Sequence, residues 1–202
     1  MDTATPAKRS PREEGFAVIG LLVALMWILE VVDTFADHRL DQYGIEPHEV
    51  DGLTGIVAAP FLHAGFGHLM GNTVPFVVMG VLIALNGAAR VIAVTVIVAL
   101  ISGVGVWLIA PEHTNHIGAS GVVFGYATYL ISRGFYNRSV LEIAVGVMIA
   151  ALFGTALLGG LAPQQGISWQ GHLFGAIGGV VAARLLMRDR DRDPGARRPL
   201  PA

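Results

Sequence analysis

Six apolar stretches alternate with short polar segments along the chain. They cover residues 15–32, 68–85, 90–110, 117–132, 140–158 and 169–187, and each is bounded by charged residues, Pro, Gly or Asn. A helix needs about 20 residues to cross about 30 Å of hydrocarbon. Most of the stretches reach or nearly reach that length, whereas 117–132 is short. We therefore predict an all-α, polytopic membrane protein, a bundle of six transmembrane helices of which the fourth is short.

The first stretch follows a polar segment, residues 1–14, that carries charges of both signs. A cleaved signal peptide is the competing interpretation, because basic residues precede an apolar core. No small-x-small cleavage site follows, and the stretch is long for a signal peptide, so a retained helix is favoured. Residues 1–14 and 188–202 are predicted to be disordered segments that flank a membrane domain of residues 15–187.

Basic residues fall almost entirely on one side of a six-span arrangement. Of the 13 Lys and Arg residues, only Arg39 lies on the other side. Positive charge marks the cytoplasmic side, so both termini are predicted to be cytoplasmic in a cell membrane. The segment 33–67 is then external, and it is longer than a connector needs, so we expect it to have its own structure.

The composition narrows the function classes. The chain is 53% hydrophobic and only 14% charged, whereas soluble domains carry roughly 25% charged residues. A net charge of −2 argues against a nucleic-acid binder that relies on general basicity. The absence of Cys excludes disulfides, thiolate catalysis and Cys-based zinc sites. The expected partners are membrane proteins and lipid, including anionic lipid at the arginine-rich tail.

Four polar residues stand near the starts of predicted spans 2, 4 and 6, where polar groups are costly and need an explanation. They are His68, Asn72, Ser120 and His172. Each has a plain interpretation: a membrane serine often bonds its own backbone, His68 and Asn72 could cap span 2, and His172 could be a structural group. Because the three spans run in the same direction, however, all four residues lie at one level.

Glycines connect these positions. Spans 4 and 6 carry glycines at spacings that let helix backbones approach closely, namely Gly121, Gly125, Gly171, Gly175 and Gly179. If these faces meet, Ser120 and His172 come within hydrogen-bond reach, and an imidazole can then take the serine proton. His68, Asn72 and the backbone N–H at the start of span 4 can stabilise an oxyanion. No membrane Asp or Glu is placed to orient His172, so this predicts a Ser–His dyad for acyl transfer.

The motifs around these residues resemble those of the rhomboid intramembrane serine proteases. The matching segments are His63-Ala-Gly-Phe-Gly-His68-Leu-Met-Gly-Asn72, Gly118-Ala-Ser120-Gly121 and His172-Leu-Phe-Gly175-Ala-Ile-Gly-Gly179. The resemblance covers residues 15–187 and implies Ser120 as nucleophile, His172 as base, and His68 and Asn72 as oxyanion donors. It further implies a lateral gate formed by the outer loop and span 5, single-span membrane proteins as substrates, and no cofactor. Gly118, Gly121, Phe124, Gly175 and Gly179 are expected to support the site.

Two features depart from the family pattern. Where many relatives have a Trp-Arg pair in the first outer loop, this chain has only His38-Arg39, and Phe124 stands where relatives often have Tyr. A zinc site built from the histidines is poorly supported because no HExxH motif is present. The competing functions are a catalytically inactive rhomboid-like protein that binds membrane clients and a small transporter, which would require charges deep in the spans.

Overall fold

The computed structural model describes residues 9–187, and this part of the chain contains seven α-helices and no β-strand. The helices are α1 (Pro11–Phe35), α2 (Gly55–Ala58), α3 (Phe66–Ala84), α4 (Ala88–Ile109), α5 (Ser120–Asn137), α6 (Val140–Gly160) and α7 (Trp169–Leu185). The all-α prediction is confirmed for these residues. Most of the predicted leader and the whole of the predicted tail lie outside the described residues.

Four helices, α1, α3, α4 and α6, are long and apolar enough to cross a membrane. They carry large apolar side chains on the outside of the bundle; Leu21, Leu152 and Leu158 are 68%, 66% and 73% exposed. Exposed apolar surface of this kind marks contact with lipid. The other two predicted spans correspond to α5 and α7, which have 18 and 17 residues and do not satisfy both requirements.

The first helix begins earlier than its apolar pattern predicts. The Ser10 hydroxyl accepts the Glu13 N–H at 3.3 Å, while the Glu13 carboxylate accepts the Ser10 N–H at 2.7 Å. This reciprocal capping box gives two backbone N–H groups, those of Ser10 and Glu13, a hydrogen-bond acceptor each. Helix α1 therefore starts at Pro11 rather than at Gly15.

The fifth helix is displaced toward the C-terminus relative to the predicted span 117–132. The charge pattern places Arg133 in a loop, whereas in the structure the helix continues past Arg133 to Asn137 and the Arg133 side chain is buried. The Arg133 guanidinium donates to Glu142 at 2.6 Å, and the Asn137 amide donates to the same carboxylate at 2.7 Å. Because the charge has a partner on α6, the helix can continue past it.

Residues 36–65 form a folded layer over the end of the bundle where α3, α5 and α7 begin; we call this end the loop face. The layer contains α2 and three 3₁₀ turns, Leu40–Tyr43, Asp51–Leu53 and Ala59–Phe61. Ile45 exchanges two backbone hydrogen bonds with His116 at 2.9 and 3.0 Å, and Ile56 lies against Gly103 of α4. The prediction that this segment has its own structure is confirmed.

Helix α7 packs against α4 and α5, and α6 packs against α5. The α5–α7 contact depends on glycine: a Cβ built on Gly175 would stand 2.1 Å from the Gly121 carbonyl oxygen, and one on Gly179 would stand 2.0 Å from that of Gly125. Any side chain at these positions would force the helices apart. The two glycine faces therefore meet, as their spacing predicts.

Candidate active site

Ser120 is the first residue of α5, and Gly118 determines where that helix begins. The φ angle of Gly118 is +112°, a region that favours glycine, and its N–H donates to the Ala59 carbonyl at 2.8 Å. The chain turns there and becomes helical two residues later. Because the first N–H groups of a helix have no intrahelical acceptor, the start of α5 presents backbone donors next to the Ser120 hydroxyl.

The Ser120 hydroxyl makes no hydrogen bond within residues 9–187. Hydroxyls elsewhere in the bundle behave differently: those of Thr73 and Thr95 bond the carbonyl four residues back, at 2.8 and 2.7 Å, and that of Ser102 bonds the Gly171 carbonyl at 2.8 Å. Back-bonding is the plain role for a serine in a membrane helix. Ser120 makes no such bond, so its hydroxyl has no hydrogen-bond partner within the described residues.

His172 lies in the first turn of α7 and is held in one orientation. Its Nδ1 is 2.7 Å from the carbonyl oxygen of Gly160, the last residue of α6. A carbonyl can only accept, so Nδ1 carries the proton and Nε2 is left as the basic nitrogen. A Cβ on Gly160 would stand 2.9 Å from Nδ1 and 2.7 Å from the Phe124 ring, so this close contact also needs glycine.

The ring of Phe124 stacks on the imidazole of His172, with centroids 4.1 Å apart and planes 6° from parallel. Phe124 is one helical turn after Ser120, so both residues lie on the same face of α5. The stack therefore places His172 on the face of α5 that carries the Ser120 hydroxyl.

His68 and Asn72, on one face of α3, lie against Gly118. A Cβ built on Gly118 would stand 2.8 Å from His68 Nε2 and 3.6 Å from Asn72 Nδ2. The Nδ1 atom of His68 accepts the Ala64 N–H at 3.4 Å, so its proton is on Nε2, which faces the turn before Ser120. The His68 Nε2–H and the Asn72 amide, which also donates to the His68 carbonyl at 3.3 Å, therefore lie beside the turn that leads into α5.

A second histidine, His63, supports the same turn. It is 1% exposed, its Nε2 accepts the Ala119 N–H at 3.4 Å, and its ring centroid is 5.1 Å from that of His68. Burial, together with the neighbouring His68, lowers the pKa of His63 to about 4. His63 is therefore neutral at pH 7 and able to accept the backbone hydrogen bond just before Ser120.

Two spaces adjoin these residues at the loop face. An open cleft of about 740 Å³ is lined by His68 and by residues 114–117 and 163–170. A smaller cavity of about 30 Å³, large enough for about one water, is lined by Ser120 and Gly121. His116 and Ser168 line both spaces and are joined by a 2.7 Å hydrogen bond. Burial lowers the pKa of His116, so this link is uncharged at neutral pH.

Sequence reasoning missed two contributors to the site. Gly160 acts through its carbonyl, and Ser102 joins α4 to α7 through the Gly171 carbonyl. Gly160 follows another glycine at the end of an apolar stretch, which is a weak signal for a close contact. Ser102 is one of two hydroxyl residues in its predicted span, with Thr95, and nothing in the sequence sets it apart.

The fold and the site define a polytopic helical membrane protein in which Ser120 and the oriented His172 lie in the first turns of two glycine-packed helices. The sequence model of the rhomboid domain matches residues 51–189. An uncharacterized protein of Mycobacterium tuberculosis is 41% identical over 91% of this chain and 80% of its own length. Rhomboid-like protein 11 of Arabidopsis thaliana is 30% identical over 76% of the chain and 61% of its own length.

A Bacillus subtilis protein named as a candidate rhomboid protease is 29% identical over 68% of this chain and 69% of its own length. The chain belongs to the rhomboid family, a family of membrane-embedded proteins. The resemblance carried by the three motifs is thereby confirmed.

Proposed function

We propose that this protein is an intramembrane serine endopeptidase in which Ser120 is the nucleophile and His172 the general base. The observation that carries the proposal is the anchored imidazole: Nδ1 of His172 is bonded to the Gly160 carbonyl, and the ring stacks on Phe124, one turn after Ser120 on α5. A base whose tautomer and ring plane are already set, next to a free nucleophile, is the arrangement that acyl transfer requires.

In the proposed reaction, Nε2 of His172 takes the Ser120 proton as Oγ bonds to the carbonyl carbon of the scissile peptide. The carbonyl oxygen becomes an oxyanion, which accepts hydrogen bonds from the backbone at the start of α5, from His68 Nε2–H and from the Asn72 amide. The C–N bond then breaks and His172 gives its proton to the leaving amine. Water, deprotonated by the same imidazole, releases the acyl group and restores Ser120. These steps call for no cofactor.

The proposed topology has six spans, with α5 and α7 as the two short ones; α7 packs on α4 and α5. The charge pattern then places both termini in the cytoplasm and the loop face outside the cell membrane. In this arrangement Ser120 lies below the outer surface, and water from the open cleft would reach the small cavity beside it by passing His116 and Ser168, which line both spaces. The substrates would be single-span membrane proteins cut near the outer ends of their helices.

Lateral entry of a substrate helix is favoured between α3 and α6. Helix α6 packs against α5 but makes no extensive contact with α3, and its only buried residues are Gly146 and Ile149. A helix with so small a buried face can move at modest cost. Helix α6 corresponds to predicted span 5. Its small buried face therefore supports the lateral gate that the family resemblance implies for span 5 and the outer loop.

The test combines covalent labelling with cleavage. The purified protein is treated with a fluorophosphonate and incubated with a model single-span substrate, beside Ser120→Ala and His172→Ala. We expect labelling and cleavage by the wild type and loss of both in the two variants. Ser132→Ala, on the other end of α5, and His113→Ala, in an exposed loop, are matched controls that should keep both activities.

Two outcomes would reject the proposal. If Ser120→Ala still labels and cleaves, another residue is the nucleophile. If the folded wild type neither labels nor cleaves but retains the substrate on affinity capture, the protein is an inactive rhomboid-like client binder.

A further inference from the structure

Three carboxylates and an imidazole gather at the end of α1 that faces the loop layer, away from Ser120. Glu30 and Asp33 lie one turn apart on α1, and the chain then reverses through Asp37 and His38, whose φ angles are +53° and +58°. This reversal returns His38 and Asp41 toward Asp33. The ligand atoms of Asp33, His38 and Asp41 all lie within 4.8 Å of one another.

One oxygen of Asp33 is already used, and the other is not. Oδ1 accepts the Leu40 N–H at 2.6 Å, which fixes the carboxylate in the reversal. Oδ2 is 3.6 Å from His38 Nδ1, too far for a hydrogen bond. The fixed carboxylate therefore directs a free oxygen into the cluster.

Glu30 supplies an independent sign that something is bound here. Its side chain is 2% exposed, and neither carboxylate oxygen has a hydrogen-bond partner among the described residues. Its electrostatic neighbours are Asp41 and Asp33, and it also faces the backbone at Gly65. Asp33, equally buried, and Asp41 each leave one buried oxygen unpartnered.

Burying an ionised carboxylate is costly. Buried carboxylates are therefore found in proteins chiefly where a cationic side chain pairs with them or where they coordinate a metal. Arg39 follows His38 directly but is exposed and makes no ion pair within residues 9–187. His38, itself half exposed, is neutral when its imidazole binds a metal. A divalent cation would therefore offset two of the three negative charges at this cluster.

We infer that Asp33, His38 and Asp41 bind a divalent metal cation, and that the buried Glu30 carboxylate beside them adds its negative charge to the site. Carboxylate oxygens suit hard cations such as Ca²⁺ and Mn²⁺, whereas the imidazole adds affinity for Mn²⁺ and Zn²⁺ over Ca²⁺. A bound ion would join α1 to the loop layer and, through Glu30, lie close to Gly65, where the chain enters α3. The site is separate from the proposed chemistry and would stabilise the loop face.

The experiment uses the full chain in detergent, stripped with EDTA and then titrated at neutral pH with Ca²⁺, Mn²⁺ or Zn²⁺ up to about 10 mM, a hundredfold excess over a Kd of about 10⁻⁴ M, the tight end of the range of extracellular calcium sites. Calorimetry gives the affinity and thermal unfolding gives Tm. We expect at least one ion to bind and to raise Tm by about 5 °C at a hundredfold excess over Kd. Asp41→Asn should weaken binding at least tenfold, whereas Asp37→Asn, an exposed neighbour with the same charge change, should leave it unchanged.

Glu30→Gln separates a metal site from a purely structural role. Because the variant lacks an unpartnered buried charge, its Tm in EDTA should be higher than that of the wild type. Adding metal should then raise the Tm of the variant no further. His38→Ala should reduce the affinity for Mn²⁺ or Zn²⁺ more than that for Ca²⁺. The inference is overturned if no ion shifts Tm, or if Glu30→Gln and Asp37→Asn respond to metal alike. An increase in wild-type Tm only on acidification would show that the carboxyls are neutralised by protons instead.

Discussion

Replacing Gly175 by Ala tests whether the α5–α7 contact sets the geometry of Ser120 and His172. The added Cβ would lie 2.1 Å from the Gly121 carbonyl oxygen, whereas ordinary contacts begin at 3.4 Å. The obstacle is backbone, so the helices must separate locally by about 1.3 Å, the difference between these distances. Gly121 directly follows Ser120, and Gly175 is one turn after His172, so the separation acts on both reacting groups.

A displacement of about 1 Å in a catalytic site can cost about 10²-fold in rate, and overpacking costs about 1–3 kcal/mol of stability. We therefore expect Gly175→Ala to remain folded with a lowered Tm and to lose about 10²-fold in kcat/KM against a single-span substrate. The control is Gly154→Ala on α6, where an added Cβ meets nothing within 4 Å. Alanine should stabilise that helix by about 0.5–1 kcal/mol and leave cleavage unchanged. A folded Gly175→Ala protein that cleaves as fast as the control would refute this reasoning.

Three further predictions concern the turn before α5. Gly118→Ala should lower kcat by about 10²-fold or more, because the side chain is strained at φ +112° and its Cβ would stand 2.7 Å from the His68 ring; normal turnover would exclude this turn from the oxyanion site. Asn72→Ala should cost at most about 10²–10³ in kcat with Tm little changed, and unfolding of the variant would favour the capping role. His63 should make stability depend on pH: the unfolded state protonates it near pH 6.5 and the folded state only at about 4, so the unfolded state binds more protons and stability falls as pH drops through this window. The measurement is Tm against pH for wild type and His63→Gln, and parallel curves would contradict the assignment.

The pairing of α5 with α7 could be predicted because it depends on residue types and spacings that the sequence shows directly. Small residues at helical spacing occur on both helices, and a membrane helix contact selects them. Once those faces meet, Ser120 and His172 must share a level, since each lies in the first turn of its helix. The apolar stretches likewise predict the helices, because lipid requires every spanning backbone to satisfy its own hydrogen bonds.

The orientation of His172 could not be predicted, since its partner is a backbone carbonyl. Every residue has such a carbonyl, so Gly160 carries no chemical signature in the sequence. The start of α5 also differs from the prediction. The apolar pattern places the start at Ile117, whereas the positive φ of Gly118 turns the chain and the helix begins at Ser120. The burial of Asp33 and the closeness of Asp41 to it could not be predicted either, because both depend on the reversal at Asp37 and His38.

The Gly160 carbonyl also explains how the proposed Ser120–His172 dyad could work without an acidic third residue. Selecting the Nδ1–H tautomer of His172 needs an acceptor at about 2.7 Å, and either a carboxylate or a carbonyl can provide it. In a water-poor site a carboxylate would add a charge whose desolvation costs several kcal/mol. A carbonyl at the end of α6 is already present, uncharged, and left without an intrahelical donor. The glycine at this position lets the ring approach the backbone, and the Phe124 stack fixes the ring plane that a bidentate acid would otherwise fix. The low charge content of the chain and the dyad are therefore connected: in lipid, orientation by backbone and packing costs less than orientation by a buried ion.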